Sequence, residues 1–275
     1  MTNQNYANQS LQNSSFKGQN LDGADFSRSN LRGCDFTRAS LVGATFEGCE
    51  MGQSLRQRNS LVIAAVMGPI VLVGFSAIAV HVSDVLFRDH SNPIVNFFLG
   101  ALPILAFIAH FFLQDKIVFH FPTVVNFLSI IATAGFFAVM VTFTIGLLIV
   151  SLFSLSDGSS AQGLLLLLIM VIFAIITFHI FQWLLQSIQS SPGTSFRKAN
   201  LTNANFSHAK VQNTDFSLAL LTGVCIFDWS MNEHTQLTTT QCEYLYLEPE
   251  QHNRRPSDRG FRAGELNCLL TQFIK

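Results

Sequence analysis

Of the eight histidines in the chain, His110, His120 and His179 are the three whose positions could bring imidazoles together, and such a cluster suits a metal ion, a haem or a pigment. A metal-bound histidine needs its second ring nitrogen held by a partner, and apart from Asp115 no carboxylate or thiol stands at ligand spacing. They read as interfacial or helix-linking histidines, so no metal and no cofactor is assigned. His179 alone falls deep within an apolar run, where Asn126 and the threonines at 133, 142 and 177 are its prospective hydrogen-bond partners. Cys34, Cys49, Cys225, Cys242 and Cys268 read as reduced thiols, the first two as small buried hydrophobes. Arg254, Arg255, Arg259 and Arg262 form the densest basic cluster, a solvated surface with anionic lipid heads or an acidic partner as the functional alternative. No nucleophile beside a base, phosphate loop or pair of carboxylates emerges, so no catalytic residue is assigned and the chain reads as a non-enzyme.

The elements that must position these residues are of two kinds. Only 12% of the 275 residues are charged, against 49% hydrophobic, and between Asn59 and Phe196 the charges are confined to Asp84, Arg88, Asp89, Asp115, Lys116 and Asp157. The intervals predict four membrane spans: Leu61 to Val82, Ile94 to Leu113, Val124 to Phe153 and Leu164 to Leu185. Arg56, Arg58, Lys116, Arg197 and Lys198 fall on one side of these spans and Arg88 on the other, which predicts both termini in the cytoplasm and Trp183 at the inner interface. Ala64 with Gly68, and Ala134 with Ala138, read as close-packing faces.

The flanks follow a different rule. Tyr6, Leu11, Phe16, Leu21, Phe26, Leu31, Phe36, Leu41, Phe46 and Met51 recur every fifth residue, and the beat returns from Phe196 to Ile226. A period of five fits neither helix nor strand; it buries its apolar column only by coiling the chain and stacking the turns. Two residues before the column stands a small one, such as Ala24, Cys34 or Ala204, and two after it often a glycine, as at Gly18, Gly23, Gly33, Gly43 and Gly48, where the turn calls for permissive backbone angles. Leu and Phe columns alternate, and the alternation resumes after the apolar region in phase, Met51 being followed by Phe196, Leu201 and Phe206. The two blocks therefore read as one stack interrupted at a corner, which requires an even number of spans.

Units such as Ala24-Asp25-Phe26-Ser27-Arg28 and Ala204-Asn205-Phe206-Ser207-His208 resemble the pentapeptide-repeat family. The resemblance implies a right-handed quadrilateral β-solenoid with one pentad per side and twenty residues per coil, here about four coils. The segment from Trp229 through Phe261-Arg262-Ala263-Gly264-Glu265-Leu266 resembles the C-terminal cap of many cyanobacterial members, with Ala263 where a proline is usual. The domain reading is solenoid at 1–55, a four-span helical module at 56–190, solenoid at 191–228, and cap and tail at 229–275.

Some soluble members of that family imitate DNA, but Lys17, Arg28, Arg32 and Arg38 balance Asp22, Asp25, Asp35, Glu47 and Glu50, so no nucleic-acid role is expected. The expected function is a non-enzymatic integral membrane scaffold or adaptor, in the plasma or thylakoid membrane, whose cytoplasmic solenoid docks a protein partner. A small transporter or channel, or a pigment-associated subunit supported by the solenoid, is the alternative. The partners expected are the lipid bilayer and an unidentified protein, with a homo-oligomer left open.

Overall fold

In the computed structural model, residues 4–70, 122–158, 160–262 and 264–274 are described. They fall into two compact units, Met1–Arg58 with Ser190–Lys275, and Asn59–Gln189.

The first unit is a four-sided β-solenoid. Its residues pair in parallel at steps of twenty, Asn5 with Asp25, Ser10 with Asn30, Ser15 with Asp35 and Asn20 with Ser40, so each pentad forms one side. The ladder then crosses the insertion: Asp35 pairs with Ser195, Ser40 with Asn200, Thr45 with Asn205, and strand β1 (Glu50–Met51) with β2 (Lys210–Val211). The step from Asp35 to Ser195 is 160 residues, one coil of 20 plus 140, so the insertion leaves the register intact. Inside, Phe36 stacks on Phe196 with ring centroids 4.8 Å apart, and Phe46 on Phe206 at 4.7 Å. The column residues from Leu21 to Phe46 and from Phe196 to Phe216 are all buried, and with their small inward neighbours they form a single core.

Every coil turns its corners in the left-handed region, two residues after the column. Gly18, Gly23, Gly33, Gly43 and Gly48 are there, but so are Asn8, Asn13, Arg28, Arg38, Lys198, Asn203 and His208 at φ near +60°. The turn demands the angle, and the energy of stacking outweighs the roughly 1–2 kcal/mol that a Cβ costs there.

The stack is longer than the four coils and the boundary at 228 read from the sequence. The side that starts at Ser15 runs through Asp35, Ser195 and Asp215 to Gln236, the side from Asn20 ends on Gln241, and strand β3 (Val224–Cys225) pairs with β4 (Leu245–Glu248). Three of these last steps are 21 residues, so one extra residue enters between Ser230 and Gln236 and moves the column to Leu237, Cys242 and Leu247. At the bulge the Asn232 side-chain oxygen accepts from the Asn213 N–H at 2.9 Å, where other coils supply a backbone carbonyl. Strand β5 (His252–Arg255) then turns back antiparallel on β4, and the helix Glu265–Leu270 buries Leu266 and Leu270 over the end.

In the second unit, helices Pro122–Ser156 and Ser160–Ser190 form a hairpin, and a helix that begins at 55 reaches residue 70. Ile130, Ala134, Leu184 and Ile188 make a small core with Leu61 and Ala65 against it. Gly68 lets Ile131 approach so closely that a Cβ would lie 2.8 Å from its Cγ2. The segments Phe127–Ser156 and Ser160–Ser190, with mean hydropathy 2.5 and 3.0, are long and apolar enough to cross a membrane. Among the described residues there are two candidate spans, at the places of the third and fourth of the expected four; Ile94 to Leu113 and most of Leu61 to Val82 lie outside the described residues.

Candidate functional site

The residues singled out for chemistry do not converge. His110 and His120 lie outside the described residues, and His179 is exposed on its helix, its ring 6.3 Å from that of the adjacent Phe178. The threonines expected to hold it are engaged elsewhere: Thr133, Thr142 and Thr177 donate to the carbonyls of Ser129, Ala138 and Phe173, four residues back on their own helices. Hydroxyls in apolar helices satisfy themselves this way when no better acceptor is within reach. Among the described residues no three His, Cys, Asp or Glu side chains gather to hold a metal.

The cysteines are thiols, and three are held protonated. Burial pushes Cys34 up to about 11 and Cys49 and Cys242 up to about 12. Cys34 Sγ donates to the Leu11 carbonyl at 3.0 Å and Cys49 Sγ to that of Phe26 at 2.8 Å. Ser29, Thr194 and Thr235 make the same bond from the same inward position, to Tyr6, Leu31 and Val211. A small polar side chain is therefore tolerated inside because a carbonyl of the coil below faces it. The basic cluster is likewise partly internal. Arg259 forms a two-pronged pair with Glu265 at 2.7 and 2.6 Å, while Arg254 lies 4.3 Å from the centre of the Tyr244 ring and donates to the Pro256 carbonyl. These contacts tie the cap together, while Arg255, Arg259 and Arg262 remain exposed.

What the structure does build is a junction at the corner where the chain leaves the solenoid and rejoins it. Gly52 and Gly193 lie back to back: a Cβ on Gly193 would sit 2.0 Å from the Gly52 carbonyl carbon and oxygen. The Gly52 N–H donates to Thr194 Oγ1 at 2.9 Å, and the same hydroxyl donates to the Leu31 carbonyl at 2.8 Å, so one buried threonine stitches the outgoing strand, the returning strand and the coil below. Gln53 Nε2 donates to the Ser191 carbonyl at 2.7 Å.

The helix that starts at 55 begins with a reciprocal cap. Ser54 Oγ accepts from the Gln57 N–H and Gln57 Oε1 from the Ser54 N–H, both at 3.1 Å. Ser54 Oγ in turn donates to Asn13 Oδ1 at 2.6 Å, and Gln57 Nε2 donates to the Gly193 carbonyl at 3.2 Å. Gly33 makes the space, since a Cβ there would lie 2.6 Å from Asn13 Oδ1 and 3.1 Å from Ser54 Oγ. Outside this corner, Glu50 pairs with Arg32 and with Lys210, each at 3.3 Å, so one carboxylate joins residues on both sides of the insertion. The junction ties the outgoing strand, the returning strand and the coil below into one piece.

The family profile described as Pentapeptide repeats matches in eight copies, over residues 10–49 and 193–225. Both segments match the repeat that this profile describes. Both matched segments lie in the solenoid unit, and the ladder shows that they stack as neighbours across the insertion. A pentapeptide repeat protein of the Arabidopsis thaliana thylakoid lumen is 13% identical, with 94% of this chain and 77% of that one covered and a TM-score of 0.25, a likeness too weak to carry an argument. No curated protein matches the chain.

Proposed function

We propose that the protein is a non-enzymatic membrane-anchored adaptor: its apolar helices sit in the bilayer and the sides of its pentapeptide-repeat solenoid dock a protein partner. The observation that carries the reading is the exposure of the two long helices. Leu164, Leu165, Leu168, Val139, Phe143 and Phe153 are among large apolar side chains that are about half exposed or more. Water would leave a patch far beyond the few hundred Å² that soluble proteins tolerate, whereas hydrocarbon is the solvent such a surface fits. The solenoid supports the docking half. Its interior is filled by Phe and Leu columns and its thiols are held protonated, so its stiff, repetitive sides are what it has to offer. Both termini on the cytoplasmic side, in the plasma or thylakoid membrane, complete the proposal, on the basic residues flanking the apolar region.

The test has two parts. The protein should stay with membranes through alkaline carbonate extraction. A photo-cross-linker at the solenoid-side position Thr202 should capture one reproducible protein that the same group at the exposed cap position Ser257 does not. Release by carbonate overturns the anchoring half, and capture without dependence on position overturns the docking half.

A further inference from the structure

The two ends of the solenoid are finished differently. At the carboxyl end the last coil is covered by β5, by the helix Glu265–Leu270 and by Ile274, which pairs with Met231. The amino end has no such cover among the described residues. In inner coils the residue before each column bonds the preceding coil in both directions: the Asp25 N–H donates to the Gln4 carbonyl and the Asp25 carbonyl accepts from Tyr6. In the first coil the equivalent residues are Asn5, Ser10, Ser15 and Asn20, and among the described residues their backbone N–H groups have no acceptor. The carbonyls of Ser10, Ser15 and Asn20 likewise have no donor. Tyr6, stacked on Phe26 at 4.9 Å, and Leu11 are only half-buried, so the apolar interior is partly open here.

We propose that this end is the contact surface for a second copy of the chain, joined amino end to amino end about a two-fold axis. Exposed strand edges are normally blocked by charge, proline or a bulge. The first coil, residues 4–23, contains no proline and two charges of opposite sign, Lys17 and Asp22. The one like-charge pair that the two-fold axis brings together is Lys17 with its own copy, both exposed beside the Phe16 side, while a highly charged partner finds little to complement.

The order of residues around the coil supplies the shape argument. Tyr6, Leu11, Phe16 and Leu21 occupy the four sides in turn, aromatic and leucine alternating. A two-fold axis through the Tyr6 and Phe16 sides lays each aromatic over its own copy and Leu11 over Leu21 of the partner subunit. That is the self-complementary surface a symmetric dimer requires. Unpaired N–H and carbonyl groups alternate along the same edge, and an antiparallel copy presents the matching set. The inference stands whether or not the sides of the solenoid dock another protein.

The test uses the full chain in mild detergent, with the protein mass measured at micromolar concentration. The expected result is a dimer, weakened at least about a hundredfold by the triple variant Ser10→Lys, Ser15→Lys, Asn20→Lys. The charge-matched triple Asn30→Lys, Ser40→Lys, Thr45→Lys, within the stack, should leave it a dimer. Lys17→Cys in a Cys268→Ser background should cross-link copy to copy under mild oxidation, because the axis brings that side against itself. A monomeric wild type, or a dimer indifferent to the end lysines, overturns the proposal. If the first triple fails to protect Cys34 and Cys49 from labelling, it has misfolded and the Lys17→Cys cross-link decides, its absence counting against the dimer.

Discussion

Gly193→Ala places a methyl carbon 2.0 Å from the Gly52 carbonyl and 2.1 Å from the Gln53 nitrogen, about 1 Å inside any tolerated contact. The obstacle is backbone, so the two strands must part. Gly193 does not use the left-handed region, so alanine adds no torsional strain and the effect is steric. Overpacking of this kind costs about 1–3 kcal/mol, and parting the strands weakens the bonds from Gly52 to Thr194 and from Gln57 to Gly193, each worth about 1 kcal/mol. A total of about 3–5 kcal/mol is a large share of a domain's stability. The control is Gly43→Ala, where φ is +66° and nothing lies within 4 Å, so only the left-handed penalty of about 1–2 kcal/mol applies. The assay is thiol labelling of Cys34 and Cys49 in the folded protein, which reads how often the stack opens. At about 1.4 kcal/mol per tenfold, Gly193→Ala should speed labelling about a hundredfold or more and Gly43→Ala about tenfold. Equal rates in the two variants would refute the tight junction.

Ser54→Ala removes the reciprocal cap and the bond to Asn13 together and should lower thermal stability by about 1–2 kcal/mol, with Gln57→Ala following in the same direction. Phe36→Ala and Phe196→Ala should each cost about 3–5 kcal/mol, and their double-mutant cycle should give a coupling of about 0.5–1.5 kcal/mol; zero coupling would mean that the 4.8 Å stack across the insertion does not form. The cap should loosen in acid. The Arg259 pair and the Arg262 N–H hold Glu265 down to about 2 from 4.5, so its contribution is complete above pH 4.5 and is lost as pH falls towards 2. Cys268 labelling or limited proteolysis across that window checks it, and Glu265→Gln should abolish the dependence.

The register across the insertion was legible because the aromatic and aliphatic columns alternate, so Met51 followed by Phe196 already placed the next side. Gly18 to Gly48 marked the corners for the same reason, since the left-handed angle recurs at a fixed place in each pentad. The last coil escaped reading because one residue inserted after Ser230 shifts Leu237 and Cys242 off a strict count of five while the backbone ladder absorbs it at Asn232. The junction was not read from the sequence. Ser54-Leu55-Arg56-Gln57 has the spacing of a reciprocal cap, but its outer partner Asn13 is two coils away, and Gly33 matters only for the room it leaves. His179 drew attention by being ionisable in an apolar run, and the run itself does not reveal which way a helix turns its side chains.

An intact ladder across 140 inserted residues also dictates an order of assembly. Closing Asp35 onto Ser195 spans 160 residues instead of 20, three doublings of loop length, at an entropic cost of about 1.8 kcal/mol beyond an ordinary coil. During synthesis the first coils must wait, half built, until the stretch between the halves has emerged, and only the returning strand lets the third coil close. Completion of the stack therefore reports that everything between its halves has been made.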